Sequence, residues 1–316
     1  TGTPISLLIR NEDVDPSPYE EWKEVFRPGQ ADFTYQAKYG IRDYRGGGRA
    51  SARETVGRVA AGAVAKKILE KERIEIIGCT VELGGIQAEK MDFDEIVRNV
   101  LRCPDRSAAI AMGKRIEEVK LQGDSLGGIV EVLVRNCPPG LGDPVFDKLE
   151  ADLAKALMSI GAVRGVEVGA GFRVARTLGS QCNYPIGPKG FEKNDAGGIL
   201  GGISNGADIV LRVAVKPIPS ISLEQKTVDQ SMRPVSLKIK GRHDVSAIPR
   251  INFVCEAMVA IVLANHLRRQ KALAGCCKTA LPTGPGPALL IDRGRGRQAL
   301  REIAGEVEIN KNPAEM

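Results

Sequence analysis

The sequence predicts an α+β fold in which helices lie between antiparallel sheets. Two patterns lead to it. Apolar residues at helical spacing alternate with short β-branched runs. The strand-like runs also come in pairs as often as they flank a helix, whereas a doubly wound parallel sheet needs regular alternation. The 316 residues are comfortable for two domains, and a 43% hydrophobic content supports a sizeable core.

Residues 1–10, TGTPISLLIR, read as a turn and a short strand. Residues 11–48 are polar and turn-rich and hold FRPGQADF and KYGIRDYRGGGR. A helix is predicted over 51–70, with Val56, Val59, Ala60, Ala63, Val64 and Ile68 as a stripe of small apolar residues that another element can approach closely. IEIIGCTVEL (74–83) reads as a strand, 92–102 and 105–123 as helices, and 127–138 as a strand ended by Pro-Pro-Gly. An amphipathic helix is expected over 143–161, with Asp143 as its cap, Pro144 in its first turn and Gly161 as its stop. VRGVEVGAGFRVA reads as strand, glycine bend, strand. Residues 196–217 read as a glycine loop entering an apolar strand, and 251–271 as a long helix with a basic end that suits its dipole. The predicted division is a domain over 1–275 and an irregular tail over 276–316.

The formal charge of +6 suits an anionic partner, either a phosphorylated metabolite or a nucleic acid. Seven cysteines without a CxxC pair or histidine-rich spacing point to free thiols in a reducing compartment. No apolar run is expected to reach the ~20 residues of a bilayer span, and no basic-then-apolar leader opens the sequence.

Four segments carry candidate chemistry. GGGRASARET (46–55) sets Arg49, Ser51 and Arg53 beside a helix start, where N–H groups and the dipole favour an anion; on composition alone it reads equally as a capped glycine loop with solvated arginines. AGGILGGISNG (196–206) matches neither a phosphate-binding loop nor a dinucleotide fingerprint. GRHDVSAIPR (241–250) places His243 beside Asp244, an acid–base pair or a helix cap with surface charges. FRPGQADF (26–33) presents Arg27 on a rigid Pro-Gly turn.

Together these stretches resemble the chorismate synthase family. GRASARETVGRVAAGAV and RHDVSAIPRINFVCEAM look like two of its signatures; FRPGQADF, YGIRDYRGGGR, NDAGGILGGISNGADI and a KP-containing strand end follow the family's order, over Thr1 to about Lys271. The resemblance implies a homotetrameric lyase of the shikimate pathway, with NADPH among its associated cofactors. It would convert 5-enolpyruvylshikimate 3-phosphate to chorismate with reduced FMN and no net redox change. It implies flavin contacts at Arg49, Ala50, Ser51, Gly161, Ala162, Gly201, Lys216, Pro217, Ile218, Pro219, Ser220 and Arg242. Substrate contacts would be Arg27, Arg53 and Arg242, with Asp244 taking the substrate proton through the flavin. No metal, nucleic-acid partner or membrane is implied, and the location would be cytoplasmic, or a plastid where a transit peptide has been removed.

Two departures bear on activity. The family carries a histidine in an earlier GESHG-like motif, which the stretch beginning at Thr1 does not include, and a second in RPGHAD, where this chain has Gln30. Glutamine donates a hydrogen bond but does not shuttle protons near neutral pH. The alternative reading is therefore a catalytically impaired flavin-binding homologue, or a fragment. A nucleic-acid binder is the other rival, suggested by YRGGGR and DRGRGR but short of aromatic stacking residues. The cationic-cradle reading requires Ser51, Gly201, Lys216 and Arg242 to converge.

Overall fold

GIVEVLVR (128–135) and IVLRVAV (209–215) alternate with strand period, and that alternation sets the centre of the molecule. The computed structural model describes residues 2–12, 17–46, 48–188, 190–239 and 243–277. Among them the helices are α1 (Asp32–Tyr39), α2 (Thr55–Glu70), α3 (Phe93–Ile96), α4 (Arg106–Gln122), α5 (Leu149–Met158), α6 (Gly179–Cys182) and α7 (Ile248–Cys277). The strands are β1 (Glu75–Leu83), β2 (Ile86–Gln87), β3 (Gly128–Arg135), β4 (Val163–Val168), β5 (Ile186–Gly187), β6 (Gly190–Phe191), β7 (Ile199–Leu200), β8 (Ile203–Ser204), β9 (Ile209–Val215), β10 (Gln225–Val228) and β11 (Pro234–Leu237).

Five strands form one antiparallel sheet in the order β2-β1-β3-β9-β4, and the rest pair as two-stranded ribbons. Helices with antiparallel sheets are the α+β class the sequence predicts. Register places Val130, Val132 and Val134 opposite Val213, Leu211 and Ile209. All six are 0% exposed, each contributing roughly 1.5–3 kcal/mol by burial. The helix α7 covers this face over β1 and β3, with α5 beside it against β4. Leu149, Leu153 and Leu157 are the buried i, i+4, i+8 stripe of α5.

Two close approaches lock α7 in place. A Cβ on Gly62 of α2 would lie 2.3 Å from the Cβ of Ala257, so those helices touch backbone to backbone. Glu256 on the buried face of α7 accepts from Gly78 N (2.7 Å) and Arg102 Nη2 (2.7 Å) and pairs with Lys66. Asn252 Nδ2 reaches Thr80 Oγ1 at 3.0 Å.

The structure corrects several expectations. Residues 2–12 form no ladder, and Ile5, Leu7, Leu8 and Ile9 are exposed; a strand requires a paired neighbour, and none of the described residues supplies one. The buried face of α2 is Gly62, Ala65 and Leu69, while Val56 and Val59 stay exposed, because Gly62 allows the closer contact with α7. The helix expected over 92–102 stops at Ile96: Asn99 bonds Glu95 O and Cys103 O, and Arg102 turns to φ +55°. Asp143 does not cap α5; Asp143 and Asp147 exchange backbone hydrogen bonds instead, and the helix starts at Leu149. Gly171–Arg176 is a 3-10 helix, not a second strand. Finally, Ile248–Leu273 is long and apolar enough by composition to cross a bilayer, contrary to the sequence reading. Its most apolar stretch is 61% buried inside the fold, and a helix covered by protein on most sides must be apolar nearly all round.

Cys79, Cys103, Cys137, Cys182 and Cys255 are free, as expected. Burial pushes the thiols of Cys79, Cys137 and Cys255 up to about 12. Their thiolates are therefore scarce at neutral pH, which makes them poor nucleophiles. The helix α7 runs through Cys276 and Cys277, and the remaining tail residues lie outside the described residues.

Replacing Gly62 by Ala should force α2 and α7 apart and cost about 1–3 kcal/mol. In a thermal melt the transition should fall by roughly 3–10 °C; an unchanged transition would show that the contact relaxes freely.

Candidate functional site

The sheet register gathers four chain turns at one end. Leu83 pairs with Gly128, Gly128 with Val215, and Val215 with Val163. The segments at Gly84, Gly127, Lys216 and Ala162 therefore leave the sheet side by side. Lys216 N donates to Ala162 O at 3.0 Å, and Gly84 N to Gly127 O at 2.9 Å.

The loop 216–220 that leaves β9 is clamped from two directions. On one side stands the Pro-Gly turn: Lys216 Nζ donates to Gly29 O at 2.6 Å, and Gln30 Nε2 to Ser220 Oγ at 3.0 Å. Gly29 has φ +69°, and a Cβ there would fall 2.9 Å from Pro219 Cβ, so glycine is required on both counts. On the other side, Ser125 Oγ donates to Ile218 O at 2.7 Å. Burial, then the Arg164 charge, holds the Lys216 ammonium below its ordinary value.

The Pro-Gly turn is itself closed by a buried charge cluster. Arg27 donates to Asp32 through its backbone N–H (3.1 Å), Nε (2.8 Å) and Nη2 (2.9 Å). Arg42 approaches the same carboxylate at 3.5 Å and donates to Trp22 O, Lys23 O and Val25 O. Burial would raise the Asp32 carboxyl, but hydrogen bonds and charge from Arg27, with help from Arg42, hold it below the ordinary value. Much of Arg27's donor capacity is thus spent inside the protein.

The start of α2 joins the same edge. Ser51 caps the preceding 3-10 turn by accepting from Arg53 N at 3.3 Å. Arg49, Ala50 and Arg53 are exposed, and among the described residues neither arginine is ion-paired. One turn on, Arg58 grips Ser159 through Oγ (2.6 Å) and O (3.1 Å). This ties the helix start to the Ser159–Ala162 turn, whose Gly161 and Ala162 border Lys216.

Asp244 lies near the same end, because Leu126 N donates to Val245 O at 2.7 Å. Its carboxylate pairs with Arg250 rather than His243, so of the two readings the acid–base pair is not formed. His243 Nε2 is buried without a partner among the described residues. Both line a cleft of about 370 Å³ with Lys120, Ser246 and Arg250. The other histidine, His266, is buried and bonded to Asp152 Oδ2 at 2.9 Å, a packing role.

Gly201 stands apart from this group. It belongs to the β7–β8 hairpin, where Gly202 accepts from Leu149 N. This hairpin precedes β9, whereas Lys216 follows it, so the two flank a strand about 20 Å long. Ser51 and Lys216 share one edge; Gly201 is at the opposite end of the sheet, and Arg242 lies outside the described residues. Sequence reading missed Asp32, Arg42, Arg58, Ser125 and Arg250. Asp32 had a visible signal, a carboxylate five residues after Arg27; Ser125 sits in GDSLGG, a glycine turn with no charge to single it out.

Fold and site together define an α+β protein with a glycine-turned sheet edge that gathers cationic side chains. The family model for chorismate synthase matches residues 1–267. A chorismate synthase of Desulfosudis oleivorans is 60% identical over 274 residues, covering 87% of this chain and 77% of the relative. One of Syntrophobacter fumaroxidans is 60% identical over 267 residues, covering 84% and 76%. A solved structure described as "Crystal Structure of Chorismate Synthase" aligns with TM-score 0.62 at 36% identity, covering 74% of this chain and 69% of that one. The chain belongs to the chorismate synthase family, the carbon–oxygen lyases that act on a phosphate ester in the shikimate pathway of aromatic amino acid biosynthesis.

Asp32 gives a pH signature. Its folded pKa is depressed, so its stabilisation is present above the unfolded value of about 4 and is lost as pH falls through the folded value. Asp32→Asn should lower stability at pH 7 and flatten the stability–pH curve below about pH 4. Urea unfolding at several pH values measures both; parallel curves for the two proteins would refute the assignment.

Proposed function

We propose that this chain uses the Ala162–Lys216 edge to hold reduced FMN and 5-enolpyruvylshikimate 3-phosphate for phosphate elimination. The observation that carries it is the clamped loop: Lys216 to Ser220 is held by Gly29, Gln30 and Ser125 beside the Ala162 turn and the α2 start. Gly29 and Pro219 meet so closely that a side chain would fill the space, and the nearby donors are cationic or amide groups suited to an anionic ring and a phosphate.

Arg49, Ala50, Ser51, Gly161, Ala162 and Lys216 to Ser220 would contact the flavin, as would Arg242. Gly201, at the other end of the sheet, is the member of this set with least support from its position. Arg53, with Arg242, would receive the substrate phosphate at the α2 N-terminus, where the dipole favours the departing dianion. Arg27 would act with part of its guanidinium, the rest being committed to Asp32. Held there, reduced flavin would lend electron density to the breaking C–O bond and regain it as the substrate proton is lost. Asp244 would take that proton on its carboxylate, which Arg250 holds by two donors. A homotetramer is part of the same reading, supported by the exposed apolar Ile5, Leu7, Leu8, Val56 and Val59. The cytoplasmic location rests on the curated relatives, which are bacterial.

Lys216→Met keeps length and removes charge. It should weaken FMN binding about tenfold or more in a flavin-fluorescence titration; undiminished affinity would remove Lys216 from the site.

A second reading is favoured by one residue. Gln30 donates to Ser220 but cannot deliver a proton, so the chain would bind flavin and turn over slowly. Gln30→His should raise turnover by about 10²-fold or more with reduced FMN under anaerobic conditions. It should also add a rate dependence near pH 6–7. An unchanged rate would mean that position 30 does not limit catalysis.

A further inference from the structure

We propose that the turn 123–127 is the positioning element of this site, with Ser125 as its positioning residue. The inference rests on the flavin-loop reading above and names what holds that loop in register with Asp244.

Besides the bond from Gly84 N to Gly127 O, three hydrogen bonds tie this short turn to the site. Ser125 Oγ donates to Ile218 O at 2.7 Å. Gly123 O accepts from Ser222 N at 2.9 Å, so the turn grips the loop on both sides of Ser220. Leu126 N donates to Val245 O at 2.7 Å, one residue from Asp244. The loop and the aspartate segment are more than twenty residues apart in sequence, yet both hang from the same five residues.

The turn is well placed for this because it is stiff. It follows α4, whose C-cap Gly123 adopts φ +74° and whose N-terminus is fixed by Asp105 accepting from Ser107 N and Ala108 N. The next strand is β3, the centre of the sheet. Packing leaves little slack: a Cβ on Gly127 would lie 2.6 Å from Val215 O and 3.0 Å from Pro217 Cδ, and one on Gly123 would lie 3.2 Å from Ser222 Cβ. Among the described residues, the Ser125 hydroxyl makes the one side-chain hydrogen bond from the turn to the flavin loop. Removing it leaves the Ile218 carbonyl without that donor and lets the middle of the loop swing, while the backbone bonds at Gly123 and Leu126 keep the fold.

The test compares the full chain with Ser125→Ala and Ser125→Thr by FMN fluorescence titration and thermal melting. The expected result is FMN affinity about tenfold weaker in the alanine variant and within about twofold in the threonine variant, with all three melting within a few degrees. An alanine variant that binds FMN as tightly as the unsubstituted chain overturns the proposal. So does weakening that tracks a fall in melting temperature and is not rescued by threonine, since that pattern belongs to a purely structural role. Absence of FMN binding by the unsubstituted chain would instead overturn the flavin reading itself, and this inference with it.

Discussion

The register of β3 against β9 is the constraint on which the rest depends. Pairing Gly128 with Val215 sends Val130, Val132, Val134, Ile209, Leu211 and Val213 to one buried face of the sheet, which α7 covers over β1 and β3 and α5 over β4. With Val163 paired to Val215 on its other side, β9 brings the start of β3, its own end and the start of β4 to a common edge. A slip of one residue between β3 and β9 would turn the β9 side chains to the other face and would carry Lys216 away from Gly127. Core and site both depend on this alignment.

Glycine does the corresponding work in the turns. Gly62 lets α2 lie on α7, Gly29 lets the Pro-Gly turn lie on Pro219, and Gly127 lets Val215 and Pro217 pass close by. These approaches bring cationic and amide donors together in a chain of 36 glycines, and the few aromatics pack on the arginines, Arg27 over Tyr19 and Arg42 over Phe26. The charges are organised as well as gathered. Arg27 and Arg42 are spent on Asp32 and on backbone carbonyls, and Arg58 on Ser159, whereas Arg49 and Arg53 stay exposed at the α2 start. Which arginine faces a ligand is therefore a result of packing.

Much of this was legible beforehand where local physics is decisive. The strand β1, the helix α4 with its Asp105 and Gly123 caps, and the strand β3 ended before Cys-Pro-Pro-Gly all follow from periodicity and punctuation. The readings failed where a local signal was overruled by a partner. Asp143 looks like a helix cap but is closed into a bridge with Asp147; the helix at 93 is cut short by the Asn99 side chain; the N-terminal apolar run finds no strand to pair with among the described residues. In the candidate site, Asp244 pairs with Arg250 and not with the adjacent His243, and Gly201 does not join Lys216.

By itself the sequence determined most element types, the absence of disulfides among the described cysteines, and the family, since these rest on residue identity and short-range order. Tertiary structure alone decided which face of α2 is buried, that Arg27 answers to Asp32, and that Ser125 reaches Ile218 across 93 positions. The physical reason is that backbone dihedrals and apolar period are properties of neighbours in the chain. Hydrogen bonds and close contacts between distant segments depend on a register that exists only once the sheet has formed.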